Sequence, residues 1–351
     1  MQLSLTDNRS WRSLGFGVYA LVAAVGLLAV LEGVCRAVLT QPVVNPTFSE
    51  TTALLRVAGM PGFAEVIVSD PDLFWRLKPN RPPTHVAGSV SGFPIEMTIE
   101  TNSLGLRGPE PNPAHDGVHI LAIGDSCTFG YGTEYEHSWP AQLEGMLNEV
   151  DPEREYRVTN AGVPGYSSYQ GLRFLQLTGF DLQPDLIIAS FGPNDAGGWS
   201  SHTDRGNARR IQEAQSPGIL GNLRLFWFMA DARQKIRTGF LRATQGHSPR
   251  MPPDDFRATI TEIADECRAR GIPLLFMIWP WREQIESGIE SMGYQALFEQ
   301  TAGEIGVPLI NCTPVLHTID GIFEDDLHGT PLGMQIAAQQ LLPQVFLMLS
   351  D

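Results

Sequence analysis

From residue 118 onward, short strand-like stretches alternate with longer ones in which apolar positions recur every three or four residues. Candidate strands fall at 118–123, 156–160, 185–190, 272–279 and 307–311, and the first, a short apolar run bounded by glycine, reads as a parallel strand buried on both faces. Helical periodicity falls between them, at about 138–150, 168–179, 254–270 and 291–305, and again from Pro331 towards Leu349. Regular alternation of this kind predicts a parallel sheet with helices on both faces. The last helix is apolar, yet Pro343, Gln335, Gln339, Gln340 and Gln344 interrupt it, so it is expected in the core and not across a membrane.

Three stretches break the rhythm. Residues 14–31 carry no charge and would rise roughly 27 Å as a helix, enough to cross a hydrocarbon core. The apolar residues go all the way round, the run is long for a signal peptide, and Cys35 follows Val34 where a lipoprotein signal wants a small residue. Residues 1–39 are therefore expected to be an uncleaved single-pass membrane anchor. Arg9 and Arg12 before the run, against Arg36 after it, predict a cytoplasmic N-terminus and an extracytoplasmic body at the cytoplasmic (inner) membrane.

Residues 40–116 are dense in proline, with strand-like alternation at 86–101, and predict a spacer with a small β-element. Within it, Asn102-Ser103-Leu104-Gly105-Leu106-Arg107-Gly108 is a compact turn whose Arg107 is a candidate substrate or structural clamp. The remaining 117–351 is the expected catalytic domain, with an insertion at about 196–253 that contains Trp199, Phe226, Trp227, Phe228 and Phe240. A long insertion after a strand's carboxyl end can serve as a lid or as one more packed helix.

Composition narrows the function. At 43% hydrophobic and 18% charged, the chain is a globular protein. Its net charge of −15 argues against nucleic acid as a partner. Cys35, Cys127, Cys267 and Cys312 show no CxxC or paired Cys/His spacing and there is no HExxH, so no metal site is expected. Sequence alone does not decide whether Cys267 and Cys312 are joined.

Candidate chemistry lies just after the strands, where open α/β sheets place their ligands. Gly124-Asp125-Ser126-Cys127-Thr128-Phe129-Gly130 follows the first strand, and Ser126 there is either a helix cap or a nucleophile. Asn160-Ala161-Gly162-Val163-Pro164-Gly165-Tyr166-Ser167-Ser168 follows the second and offers backbone N–H groups. Gly192-Pro193-Asn194-Asp195 follows the third and brings an amide side chain. Asp325-Asp326-Leu327-His328 precedes the last helix, and an aspartate three residues before a histidine can reach its Nδ1. Together they supply a nucleophile, a base, an orienting acid and oxyanion donors.

These four blocks, in this order, resemble those of the SGNH (GDSL-type) hydrolase family over about residues 118–350, in its membrane-anchored bacterial form. The resemblance implies a flavodoxin-like three-layer sandwich, with Ser126, Asp325 and His328 as triad. It implies oxyanion donors from Ser126 N–H, Gly165 N–H (with Gly162 as the alternative glycine) and Asn194. Asp125, Asp195 and Arg107 are candidate substrate-binding residues. Cys127 stands where many relatives carry Leu or Phe and is expected to be a buried thiol. The implied activity is hydrolysis of acetyl or short O-acyl esters at the cell envelope, on a small-molecule or carbohydrate substrate, and this acyl chemistry calls for no cofactor. An O-acyltransferase acting on a surface polysaccharide and a non-catalytic envelope scaffold are the alternatives.

Overall fold

A computed structural model describes residues 7–38, 61–90, 92–111, 117–197, 202–215, 223–226, 228–229, 232–233, 249–317 and 319–349. Two compact units emerge: Met1–Val44 with Arg210–Gly246, and Asn45–Arg209 with His247–Asp351. In the first, Asp7–Val38 is one helix, and its Phe16–Val38 portion is long and apolar enough to cross a membrane, with mean hydropathy 2.2 and none of it buried.

The second unit is built on a parallel sheet of β5 (Val118–Gly124), β6 (Tyr156–Gly162), β7 (Leu186–Ser190), β8 (Leu274–Ile278) and β9 (Leu309–Asn311). The spatial order is β6-β5-β7-β8-β9. Each expected strand is present, though the fourth and fifth are shorter than their apolar runs. Alternation of side chains along each strand feeds two cores. Ile120, Ala122, Leu186, Ile188, Leu275 and Met277 join one cluster with the helices Trp139–Val150 and Pro331–Leu349. On the other face Phe276 meets Phe298 of helix Tyr294–Ile305 at 4.7 Å, and Phe298 meets Phe256 of helix Pro253–Arg270 at 5.7 Å. This is a three-layer α/β sandwich. Pro331–Leu349 is a core helix, and it runs through Pro343 without a break.

The chain enters β5, then crosses to β6 on one side and β7 on the other, so the strand order reverses between β5 and β7. That switch point is where such sheets open a crevice at their carboxyl ends.

Two antiparallel hairpins precede the sheet. β1 (Ile67–Asp70) pairs with β2 (Phe74–Leu77), and β3 (Thr84–Val90) with β4 (Phe93–Ile99). The alternation at 86–101 marks the second hairpin; the first lies in proline-rich sequence with too few residues to show a period. Much of the spacer (40–60, 91 and 112–116) lies outside the described residues. So do 198–201, 216–222, 227, 230–231 and 234–248 of the insertion, with Trp199, Trp227 and Phe240, and the lid expectation lies largely on them. All four cysteines are free thiols, Cys267 and Cys312 included.

Candidate active site

At the end of β5 the chain turns at once into the short helix Ser126–Phe129. The cap is Asp125 and not Ser126: its Oδ1 accepts the Cys127 N–H at 2.9 Å, which leaves the Ser126 hydroxyl free of capping duty. Space for this turn comes from Gly162 on the neighbouring strand, where a Cβ would stand 2.3 Å from the Phe129 nitrogen. The Ser126 N–H opens the helix and has no acceptor among the described residues.

His328 arrives from the loop before the last helix. Its Nε2 lies 2.8 Å from Ser126 Oγ and its Nδ1 2.6 Å from Asp325 Oδ2. Asp325 Oδ1 accepts the N–H groups of Leu327 and His328, both at 2.7 Å. Both carboxylate oxygens thus accept from donors that fix the group's orientation towards the imidazole. The ring of Tyr131 lies 4.7 Å from that of His328. Arg282 braces the loop from outside: its guanidinium donates to the carbonyls of Asp325 (2.8 Å) and Phe323 (3.0 Å), and its N–H to Asp326 O (2.9 Å).

The third part follows β6 and β7. Asn194 Nδ2 donates to Asp125 Oδ2 at 3.0 Å, so Asp125 ties the nucleophile turn to the amide side chain. Gly165 has φ +82°, a region that glycine enters without steric cost. Its N–H has no acceptor among the described residues, whereas the Gly162 N–H already donates to Asn160 Oδ1 at 3.0 Å. Both peptides flanking Gly165 are held. Trp75 Nε1–H donates to Pro164 O at 3.2 Å, and Arg250 donates to Gly165 O at 2.5 Å. Arg250 also forms a two-pronged ion pair with Asp204 (3.0 and 2.8 Å), buried to 1% and 0% side-chain exposure.

The sequence pattern of the GDSL-like Lipase/Acylhydrolase family matches residues 122–336, more than half of the chain. The chain belongs to this family. Esterase TesA of Pseudomonas aeruginosa is 33% identical over 76 residues, and the acetylxylan esterase of Xylanibacter ruminicola 28% over 94. Those matches span 22% and 24% of this chain but only 37% and 18% of the relatives' own lengths. Among solved structures, TesA (18% identity, TM-score 0.44) covers 66% of this chain and 99% of its own. The acetyl xylan esterase AlAXEase (15%, 0.45) covers 65% and 100%.

The three candidate substrate-binding residues of this GDSL-family chain are turned inward. Asp195 is fully buried and accepts from Ser168 N (3.0 Å), Ser168 Oγ (2.5 Å) and Gly192 N (3.1 Å). Burial pushes its carboxyl up to about 7, and that of Asp125 up to about 6 against the lowering by the Cys127 N–H, His328 and Asn194. Arg107 is 1% exposed, donates to the carbonyls of Phe129, Gly130, Thr98 and Thr133, and lies over the Phe129 ring. It is a structural clamp on the loop after the serine, with its pKa lowered to about 10 by burial. Its Nε is unpartnered, and it lines a cavity of about 230 Å³ that includes neither Ser126 nor His328.

Burial pushes the Asp325 carboxyl up, but the His328 hydrogen bond and charge outweigh it and the group sits below its ordinary range. Cys127 is buried, and burial with the charges of Asp125 and Asp325 raises its thiol well above the usual value, so it carries no thiolate. Sequence reasoning missed Trp75, Tyr131, Asp204, Arg250 and Arg282. For Trp75 the only signal is an aromatic in a short strand; for the charged residues there is none, because a buried ion pair and a surface one read alike in sequence.

Proposed function

We propose that the protein is a serine ester hydrolase held at a membrane, with Ser126 as nucleophile, His328 as base and Asp325 as orienting acid. The reading rests on one observation above the others: Ser126 Oγ, both imidazole nitrogens and the Asp325 carboxylate form an unbroken hydrogen-bonded line of 2.8 and 2.6 Å.

His328 Nε2 takes the Ser126 proton as Oγ attacks the ester carbonyl. Charge gathers on the carbonyl oxygen, which meets the N–H groups of Ser126 and Gly165 and the second amide hydrogen of Asn194. Each such donor contributes about 2.7–4 kcal/mol to the transition state. Asp325 stabilises the imidazolium, which then returns its proton to the leaving alcohol. Water, activated by His328, attacks the acyl-serine and regenerates the enzyme. The chemistry asks for no metal or organic cofactor.

Two further features shape the reading. The apolar Phe16–Val38 helix supports a single-pass anchor, and the arginine pattern around it supports a body on the extracytoplasmic side. The relative named acetylxylan esterase favours short acyl groups on carbohydrate as substrates.

The test is fluorophosphonate labelling of the full chain in detergent, followed by peptide mapping, with p-nitrophenyl acetate as the turnover substrate. Label on Ser126 alone and loss of turnover in Ser126→Ala are expected. Modification at any other serine, or an active Ser126→Ala protein, rejects the assignment.

A further inference from the structure

In the smaller unit, the polar residues near the end of the apolar helix are joined to the insertion. Glu32, its side chain 13% exposed, accepts the backbone N–H groups of Arg224 (Oε1, 3.0 Å) and Leu225 (Oε2, 2.8 Å). Arg36 Nε donates to Glu32 Oε1 at 2.7 Å, and the Arg224 guanidinium donates to Arg36 O at 3.1 Å. Three hydrogen bonds thus knot residues 224–225 to one turn of the helix, and the Arg36–Glu32 bond braces that turn. Residues 224–226 and 228–229 are helical, and they leave Phe226, Phe228 and Met229 43%, 50% and 61% exposed.

Position along the apolar helix gives this patch a meaning. Glu32 lies sixteen residues after Phe16, about 24 Å of rise, close to the roughly 30 Å of a hydrocarbon core. A carboxylate there sits where water and headgroups begin, and whatever it holds sits at the same depth. Two phenylalanines and a methionine at that level match the apolar side of an interfacial segment. The charge of the local sequence fits as well. Residues 221–245 contain Arg224, Arg233, Lys235, Arg237 and Arg242 against the single acid Asp231, in a chain of net charge −15. Basic residues beside exposed aromatics are attracted to anionic headgroups.

We infer that Phe226, Phe228 and Met229, tethered through Glu32 to the end of the membrane helix, form a second lipid contact docked on the anionic bilayer surface. The inference rests on the reading of Phe16–Val38 as a membrane span. Its consequence is a two-point attachment: the insertion is drawn to the membrane plane as well as the N-terminal helix.

The experiment uses the full chain with Cys35→Ala, in which the remaining cysteines are buried, reconstituted in vesicles of phosphatidylethanolamine and phosphatidylglycerol. Nitroxide labels are placed singly through Phe228→Cys, Met229→Cys, Val25→Cys in the span and the exposed Val150→Cys as a water reference. Accessibility to oxygen and to a water-soluble nickel chelate is read by spin relaxation. The expected result is a deep label at position 25 and labels at 228 and 229 with nickel accessibility several-fold below that at 150 and substantial oxygen accessibility. In vesicles of phosphatidylcholine alone, nickel accessibility at 228 and 229 is expected to rise. Labels at 228 and 229 that match the water reference, with 25 still deep, overturn the inference and leave the anchor standing. A water-exposed label at 25 overturns the anchor itself. Shielding of 228 and 229 from both reagents means a protein covers them and also overturns the lipid contact. Unchanged accessibility in phosphatidylcholine rejects the preference for anionic lipid.

Discussion

The Trp75 indole N–H donates to the carbonyl of Pro164, 89 residues away in sequence, at 3.2 Å. That carbonyl belongs to the same planar peptide as the Gly165 N–H, so fixing one end fixes the direction of the other. The hairpin β1–β2 reinforces the contact: Tyr166 Oη donates to Trp75 O at 2.8 Å, and Gln170 Nε2 to Leu73 O at 2.7 Å. Phe74, at φ +66°, is held in a region that bulky residues avoid, fully buried and stacked on Tyr169 at 5.8 Å. Residues ahead of the family-matched segment therefore orient a donor within it.

Trp75→Phe tests this directly. The ring keeps its packing against Tyr166 while the N–H is lost. A net hydrogen bond is worth about 1 kcal/mol, roughly fivefold in rate. We expect kcat on p-nitrophenyl acetate to fall about that much with KM unchanged, because the Gly165 N–H acts on the oxyanion and not on the bound ester. Weaker inhibition by a boronic acid that mimics the tetrahedral state should accompany it. A variant with raised KM and intact boronate affinity would assign Trp75 to packing alone.

Ser126 and His328 act as one device, and their removal should show it. Ser126→Ala, His328→Ala and the double variant are expected to lose kcat to nearly the same floor, since groups that operate as a unit are grossly non-additive. Single-turnover kinetics checks the three against one another. A double variant much slower than either single one would mean the two residues contribute independently.

Much of this was legible in the chain because of how parallel strands are built. Buried on both faces, β5, β7 and β8 read as mostly apolar runs, and the short polar blocks after them stand out by contrast. The same local logic exposed Ser126, Asn194 and the Asp325-Leu327-His328 loop, whose members interact within three residues or sit at strand ends. It failed where partners meet only through the fold. Arg250 and Asp204 are 46 residues apart, and neither is marked as buried by its neighbours in sequence. Arg107 read as either a substrate clamp or a structural one, and the sequence could not choose because the four carbonyls it holds come from separate segments. The helix expected through Gly179 also loosens: it is regular only to Phe174 and then widens over Leu175–Gly179.

The Arg250–Asp204 pair separates stability from function. Arg250→Met leaves a buried carboxylate without its cation, a loss that costs about 3–5 kcal/mol. Adding Asp204→Leu removes the orphaned charge, and urea denaturation should show much of that stability restored. The double variant still lacks the donor to Gly165 O, so its kcat is expected to stay low. Full recovery of kcat with stability would deny Arg250 any part in placing Gly165.

Asp195 makes the pH dependence of folding a test of the buried network. Burial raises its carboxyl from 3.8 to about 7 in the folded protein. Between those values the folded state retains a proton that the unfolded chain has released, so stability falls as pH rises through the interval. Asp125, raised to about 6, adds to the decline over the lower part of the range. Asp325 acts in the opposite sense: its folded carboxyl lies below 3.8, so its contribution is present above that pH and is lost as the solution becomes more acid. Stability contributed by these three groups should therefore peak within the ordinary carboxylate range, near 3.8, and fall on both sides. In Asp195→Asn the part of the decline between about 6 and about 7 should vanish. The protein's 8 histidines affect both proteins alike and cancel in the difference. Urea midpoints measured across this range in parallel decide the matter: an unchanged slope in the variant would show that Asp195 is already ionised where its hydrogen bonds from Ser168 and Gly192 are made.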